Sequence, residues 1–229
     1  MVEFAGFPKA AFEYLAALEA NNNKAWFDEN RASYDQDLIA PALDFVAAMA
    51  PVVSSMSPSY QAVPKMNGSL RRLHRDLRFS KDKTPFNPRL HLVFWHGKHP
   101  NRAPAVHFVL HGDGLGLGVG QWSMTPAELA AYRAAVANAT SRGELHKALS
   151  SAYTVGATVQ APSLARLPKG FETIGEDDNL LQRKGLVALT EERLPIPDEL
   201  LGPEAIAYAT GVLKALAPVS DWLIKHTAP

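Results

Sequence analysis

Gly112, Gly114, Gly116, Gly118 and Gly120 fall on every second residue, with Leu115, Leu117 and Val119 between them. A strand sends successive side chains to opposite faces, so an extended segment here would carry one apolar face and one face with no side chains at all. Glycine weakens a strand, and a bare face suits the close approach of a helix, a large ring such as Trp122, or a ligand. The spacing is not a nucleotide fingerprint. Neither G-x-G-x-x-G nor G-x-x-x-x-G-K-[ST] occurs in the chain.

Two further strands precede this one. His91, Val93 and Trp95 alternate with Leu92, Phe94 and His96, so Arg89 to His96 reads as an inner strand with two apolar faces. A polar loop over 97–104 leads to a second strand, Ala105 to His111, and Gly112-Asp113-Gly114 turns the chain into the third. Shorter strands are expected over Tyr153 to Gln160 and Gly185 to Thr190.

Helical spacing dominates both ends. Pro8 to Ala20 has Phe12, Leu15 and Leu18 as an apolar stripe, and Asn21-Asn22-Asn23 ends it and caps the next helix, Lys24 to about Leu38. Pro41 opens a third helix with Leu43, Phe45, Val46 and Met49 inward. Thr125-Pro126 starts another, Ser141 to Ser150 a further one, and Asn179 to Lys184 a short one. Pro203 to Lys225 reads as two helices split at Pro218. Helices at the ends with strands between them argue for an α+β fold, a central antiparallel sheet with helices packed at its faces and ends. The 229 residues, 47% of them apolar, fit a single domain spanning 1–229.

Composition narrows the function classes. The formal net charge is zero, so bulk attraction to nucleic acid or to an anionic membrane is not expected. The chain has no cysteine, which excludes disulfides, thiolate metal sites and a cysteine nucleophile. Met1-Val2-Glu3-Phe4 lacks the positive start and apolar run of a signal peptide. No apolar segment of the sequence approaches the roughly 20 residues a spanning helix needs. A soluble, cytoplasmic protein without a membrane partner is the expectation.

Charge is uneven even though it sums to zero. Lys65 to His91 holds eight of the 23 Lys and Arg residues and two acids, Asp76 and Asp82. Leu70, Leu73 and Leu77 recur at helical spacing, so Ser69 to Asp76 reads as a short helix with Arg72 and Arg75 on one face. After Phe79, Ser80-Lys81-Asp82-Lys83-Thr84-Pro85 is turn chemistry. Forked guanidiniums beside ammoniums, hydroxyls and free backbone N–H groups suit a phosphate or carboxylate. The ligand-binding set is Arg72, Arg75, Asp76, Arg78, Ser80, Lys81, Asp82, Lys83 and Thr84, with Trp26, Arg31 and Lys169 as secondary candidates. The competing expectation is structural pairing. Asp76 lies between Arg75 and Arg78, Asp82 between Lys81 and Lys83, and Phe171 to Glu204 carries nine acids against three basic residues.

The run Arg75-Asp76-Leu77-Arg78-Phe79-Ser80-Lys81-Asp82-Lys83-Thr84-Pro85 resembles the signature of a conserved family of uncharacterised hypothetical proteins. Four other pieces resemble it too: Phe4-Ala5-Gly6-Phe7; Asn21-Asn22-Asn23-Lys24-Ala25-Trp26-Phe27 with Arg31 and Tyr34; Gly118-Val119-Gly120-Gln121-Trp122; and Leu167-Pro168-Lys169-Gly170-Phe171. The resemblance implies a shared site rather than a named chemistry. Phe86-Asn87 departs from it, standing where a Tyr-Lys pair is expected.

Other chemistries are less well supplied. His107 and His111 share a strand face but lie about 13 Å apart by strand rise, too far for one metal even with His91 opposite, so no metal centre is expected. No G-x-S-x-G is present, and Ser80 has only His74 as a nearby base of unknown direction. Whether a cofactor is used is left open, and so is a catalytic role. Two expectations remain: a site for an anionic, phosphate-bearing small molecule, or a module that docks an acidic protein or a nucleic-acid backbone without catalysis.

Overall fold

A computed structural model describes residues 4–97, 100, 103–191 and 193–227, so half of the polar loop expected over 97–104 lies outside the described residues. The fold is α+β. Five antiparallel strands form one sheet: β1 (Leu90–Trp95), β2 (Ala105–His111), β3 (Gly114–Gln121), β4 (Ala157–Val159) and β5 (Leu186–Thr190), in the order β1-β2-β3-β5-β4. All five stand where alternation places them. The helices are α1 (Lys9–Ala20), α2 (Lys24–Glu29), α3 (Arg31–Ser33), α4 (Ala40–Ser54), α5 (Pro126–Ala137), α6 (Ala139–Tyr153), α7 (Asp178–Leu181) and α8 (Ala205–Thr227).

Local chemistry explains several boundaries. Asn23 accepts the Trp26 N–H and starts α2. Thr125 and Glu128 form a reciprocal capping box at the start of α5. Asn138 accepts the N–H groups of Thr140 and Ser141 and starts α6.

Two prolines expected to divide helices do not. A π-helical turn over Tyr34–Ile39 joins α3 to α4, so Arg31–Ser54 is one helical run of 24 residues with Pro41 inside it. Proline has no N–H to give, and the wider turn before Pro41 carries the chain past that missing bond. By length and composition this run is long and apolar enough to cross a membrane, contrary to the expectation from sequence. Its Leu38, Ala42, Phe45, Val46, Met49 and Val53 are buried in the protein's own core. Likewise α8 continues through Pro218, with Val212, Leu213, Leu216, Ala217, Val219 and Leu223 buried on both sides of it. Packing outweighs one absent hydrogen bond.

The chain divides into two compact units. The first comprises Met1–Pro100, His107–Gly116 and Glu192–Gly211; the second comprises Asn101–Val106, Leu117–Glu191 and Val212–Pro229. The first is built on rings. Phe7 meets Phe4 at 5.1 Å and Phe45 at 5.2 Å, and Phe27 lies 4.9 Å from Tyr34. In the second, Tyr132 and Trp222 meet edge to face at 6.0 Å, the Tyr132 hydroxyl donates to Leu180 O, and Trp222 Nε1 donates to Ser141 O. Such pairs supply apolar area while their polar tips find partners.

The protein's own atoms close over most of the glycine face. A side chain at Gly112 would run into the α1 backbone at Ala16, one at Gly118 into the Leu189 side chain, and one at Gly120 into Leu186 O. Gly118 and Gly120 stand opposite Leu189 and Val187 in the β3–β5 register. Trp122 is 67% exposed and does not lie flat on this face.

Candidate anion-binding loop

Residues 69–76 are not helical. Val93 N donates to Ser69 O and Arg71 N to His91 O, so Leu70 pairs with Leu92 beside β1. Further along, Asn87 N donates to Leu73 O and Arg75 N to Pro85 O, so His74 pairs with Phe86. The leucine spacing fits a helix, but these backbone groups are bonded across strands instead. A bend at Leu73 lets both Leu70 and Leu73 point inward and be fully buried. The 70–76 and 85–93 segments form the arms of a long hairpin, and residues 76–84 form its tip.

The base of that tip is clamped. Asn22 Nδ2 donates to Phe86 O at 2.9 Å, and Asn22 Oδ1 accepts from Phe86 N at 3.1 Å. The Phe86 ring stacks on Phe27 at 4.3 Å with 17° between planes. Phe86 is therefore a buried core residue. Sequence reading gave Asn22 no role of its own; it stood there only within the asparagine triplet and the resembling piece that contains it.

The signature residues organise themselves. Arg75 Nη1 donates to Asp82 Oδ2 at 2.5 Å, to Thr84 O at 3.0 Å and to the Thr84 hydroxyl, and its Nη2 reaches Ser80 Oγ at 3.4 Å. Asp82 Oδ1 accepts the Thr84 N–H at 2.9 Å. That backbone bond, then Arg75 and the Thr84 hydroxyl, pull the Asp82 carboxyl down to about 2. Arg78 grips Asp76 through Nε and Nη2, at 3.0 and 2.7 Å. The Arg78 contact, helped by the Arg78 N–H and the nearby Arg72 charge, holds Asp76 below the ordinary carboxyl range. Lys83 Nζ donates to Leu77 O at 3.2 Å. Both acids are thus engaged within the loop, Asp82 by Arg75 rather than by its lysine neighbours.

Arg72 and Lys81 make no hydrogen bond or ion pair among the described residues, and both are exposed. Five cations against two carboxylates leave this loop with a net charge of 5 − 2 = +3. Phe79 is 93% exposed at the tip, with the Arg78 guanidinium 5.8 Å above its ring. His74 packs edge to face against Phe27 and Phe86.

The secondary candidates lie elsewhere. Arg31 pairs with Asp35 at 2.9 Å and sits over the Tyr34 ring. Trp26 is half-buried against Tyr14 at 5.4 Å. Lys169 is exposed in a turn of the second unit, before Gly170 at φ +89°. His91 Nε2 and His107 Nδ1 share a hydrogen bond of 2.9 Å. No group of three or more metal-ligating side chains occurs among the described residues.

The family described as conserved hypothetical protein (DUF2461) matches residues 10–222, and the chain is a member of it. A comparison with curated proteins finds no match.

Proposed function

We propose that the 72–84 loop binds an anionic, phosphate-bearing small molecule in the cytoplasm. Arg72, Lys81 and Lys83 meet the anion. Arg75, Arg78, Asp76, Asp82, Ser80 and Thr84 give the loop the shape that presents them. One observation carries this reading: the loop's two carboxylates are both engaged by Arg75 and Arg78, leaving Arg72 and Lys81 without a hydrogen bond or ion pair among the described residues. Exposed cations held on a braced backbone are pre-organised for an anion that the loop does not supply. Ser80 Oγ meets Arg75 rather than an imidazole, so the reading is one of binding.

Pyrophosphate titrated calorimetrically tests it. The wild type binds, and Arg72→Ala with Lys81→Ala weakens binding by roughly tenfold or more, the scale of a lost charge-assisted bond. Equal heats for wild type and double variant would refute the assignment.

Phe79 favours a second reading. A ring 93% exposed beside cations suits docking on an acidic protein or a nucleic-acid backbone. Here Phe79→Ser should weaken binding to a single-stranded oligonucleotide or a polyglutamate peptide. Affinity should also fall steeply between about 50 and 200 mM salt. A compact pyrophosphate site should be indifferent to Phe79.

A further inference from the structure

Within the second unit, Leu149 and Tyr153 of α6, Val159 of β4 and Leu180 of α7 line an open cavity of about 370 Å³ with Arg183 in its wall. That volume falls among small-molecule sites, which span about 300–1,000 Å³. Arg183 is only 5% exposed. Its Nη1 donates to Gln160 O, while Nε is buried with no hydrogen-bond partner. No carboxylate lies within ion-pair distance of it among the described residues. A buried, uncompensated guanidinium is costly, and an orphaned buried donor calls for an explanation.

The neighbouring acid does not provide one. Asp177, also at the cavity, faces Arg142 Nε at 3.0 Å and His146 Nε2 at 3.0 Å. Its charge is already met. The position of Arg183 is built rather than incidental: Tyr132 OH donates to Leu180 O, Arg133 Nε to Leu181 O, and Arg133 Nη2 to Arg183 O. These three bonds fix the turn that delivers the guanidinium.

We propose that this cavity binds a small organic monocarboxylate, its charged end at Arg183 and its hydrocarbon body against Leu149, Val159 and Leu180. One unmatched positive charge fits a monoanion. A phosphate dianion would meet a single free cation beside the Asp177 carboxylate. This assignment does not rest on the basic loop and stands or falls apart from it.

The probe is hexanoate, titrated into isotope-labelled protein and followed by amide chemical shifts. Saturable movement of the Leu149, Val159, Leu180 and Arg183 signals is expected, with hexan-1-ol binding at least roughly tenfold more weakly, as one lost charge-assisted contact implies. Arg183→Gln should reduce hexanoate to the affinity of the alcohol. Thr158→Trp, which fills the cavity mouth and keeps Arg183, should abolish binding and decides the matter if Arg183→Gln does not fold. Equal binding of acid and alcohol would overturn the proposal, as would tighter binding of inorganic phosphate at these residues. So would shifts confined to residues 72–84, which would assign the carboxylate to the loop instead.

Discussion

Asn22 holds Phe86 by both halves of its carboxamide, donating to the Phe86 carbonyl at 2.9 Å and accepting the Phe86 N–H at 3.1 Å. This joins the turn after α1 to the base of the signature loop, 64 residues further along the chain. A side chain that mimics a strand edge in this way completes the backbone pairing where neither β1 nor the 70–76 arm reaches.

Asn22→Ala should therefore cost about 1–3 kcal/mol, because both Phe86 groups are left partly buried and unpaired. Urea unfolding measures the loss. Hydrogen exchange at Phe86 N–H should rise more than the global change requires. A cost near zero would mean that water replaces the amide without penalty.

The two signature arginines should separate in their effect on stability. Arg75 is a brace with its side chain 22% exposed, and Arg75→Ala should cost about 1–3 kcal/mol as its bonds to Asp82, Thr84 and Ser80 vanish. Arg78 and Asp76 are 77% and 55% exposed, so Arg78→Ala should leave the stability close to that of wild type. Denaturation midpoints compare them directly, and the reverse order would contradict the brace.

Acid should loosen the first unit through His91 and His107. Burial comes first in holding both rings below the ordinary imidazole value; Arg71 adds to it at both, and His107 and Arg89 add to it at His91. The folded protein refuses protons that the unfolded chain takes up below about pH 6.5. Stability is complete above that value and falls as pH drops through it, by up to about 1.4 kcal/mol per pH unit for each ring. Asp82 adds its own loss only as pH falls from its unfolded value of 3.8 toward about 2, so between pH 7 and pH 5 the histidines act without it. Urea midpoints at pH 7 and pH 5 should differ for wild type and differ less for His91→Asn with His107→Asn, the remainder belonging to His111, whose burial also holds its ring below the ordinary value. A flat wild-type profile would count against the buried pair.

The alternating glycines are not equivalent. Gly120 has φ +130° and faces Leu186 O, so Gly120→Ala combines backbone strain with a backbone clash and should cost about 2–5 kcal/mol. A side chain at Gly116 would meet Val109 and His111 no closer than 3.5 Å, so Gly116→Ala should be neutral or stabilising by about 0.5–1 kcal/mol. Thermal midpoints of the two variants give the ranking.

Much of the fold was legible before any coordinates. Two-residue alternation located β1, β2 and β3, and Thr125 marked the start of α5, because these patterns are local consequences of side-chain direction and orphan backbone groups; the Asn138 cap, which starts α6 two residues before the expected Ser141, was not read. The crowding of cations over 72–84 was legible too. What each cation does there was not: Arg75 and Arg72 are alike as residues, and only the fold brings Asp82 and Thr84 to one and leaves the other open. Leu70, Leu73 and Leu77 satisfy a helical period equally well as text, yet the backbone groups of Ser69, Arg71, Leu73 and Arg75 are bonded to Val93, His91, Asn87 and Pro85. Periodicity constrains which side chains turn inward, whereas the destination of a backbone hydrogen bond depends on which distant segment lies alongside. That placement is a tertiary decision, and the same rule separates Pro41 and Pro218, which packing carries through long helices, from the boundaries that caps alone define.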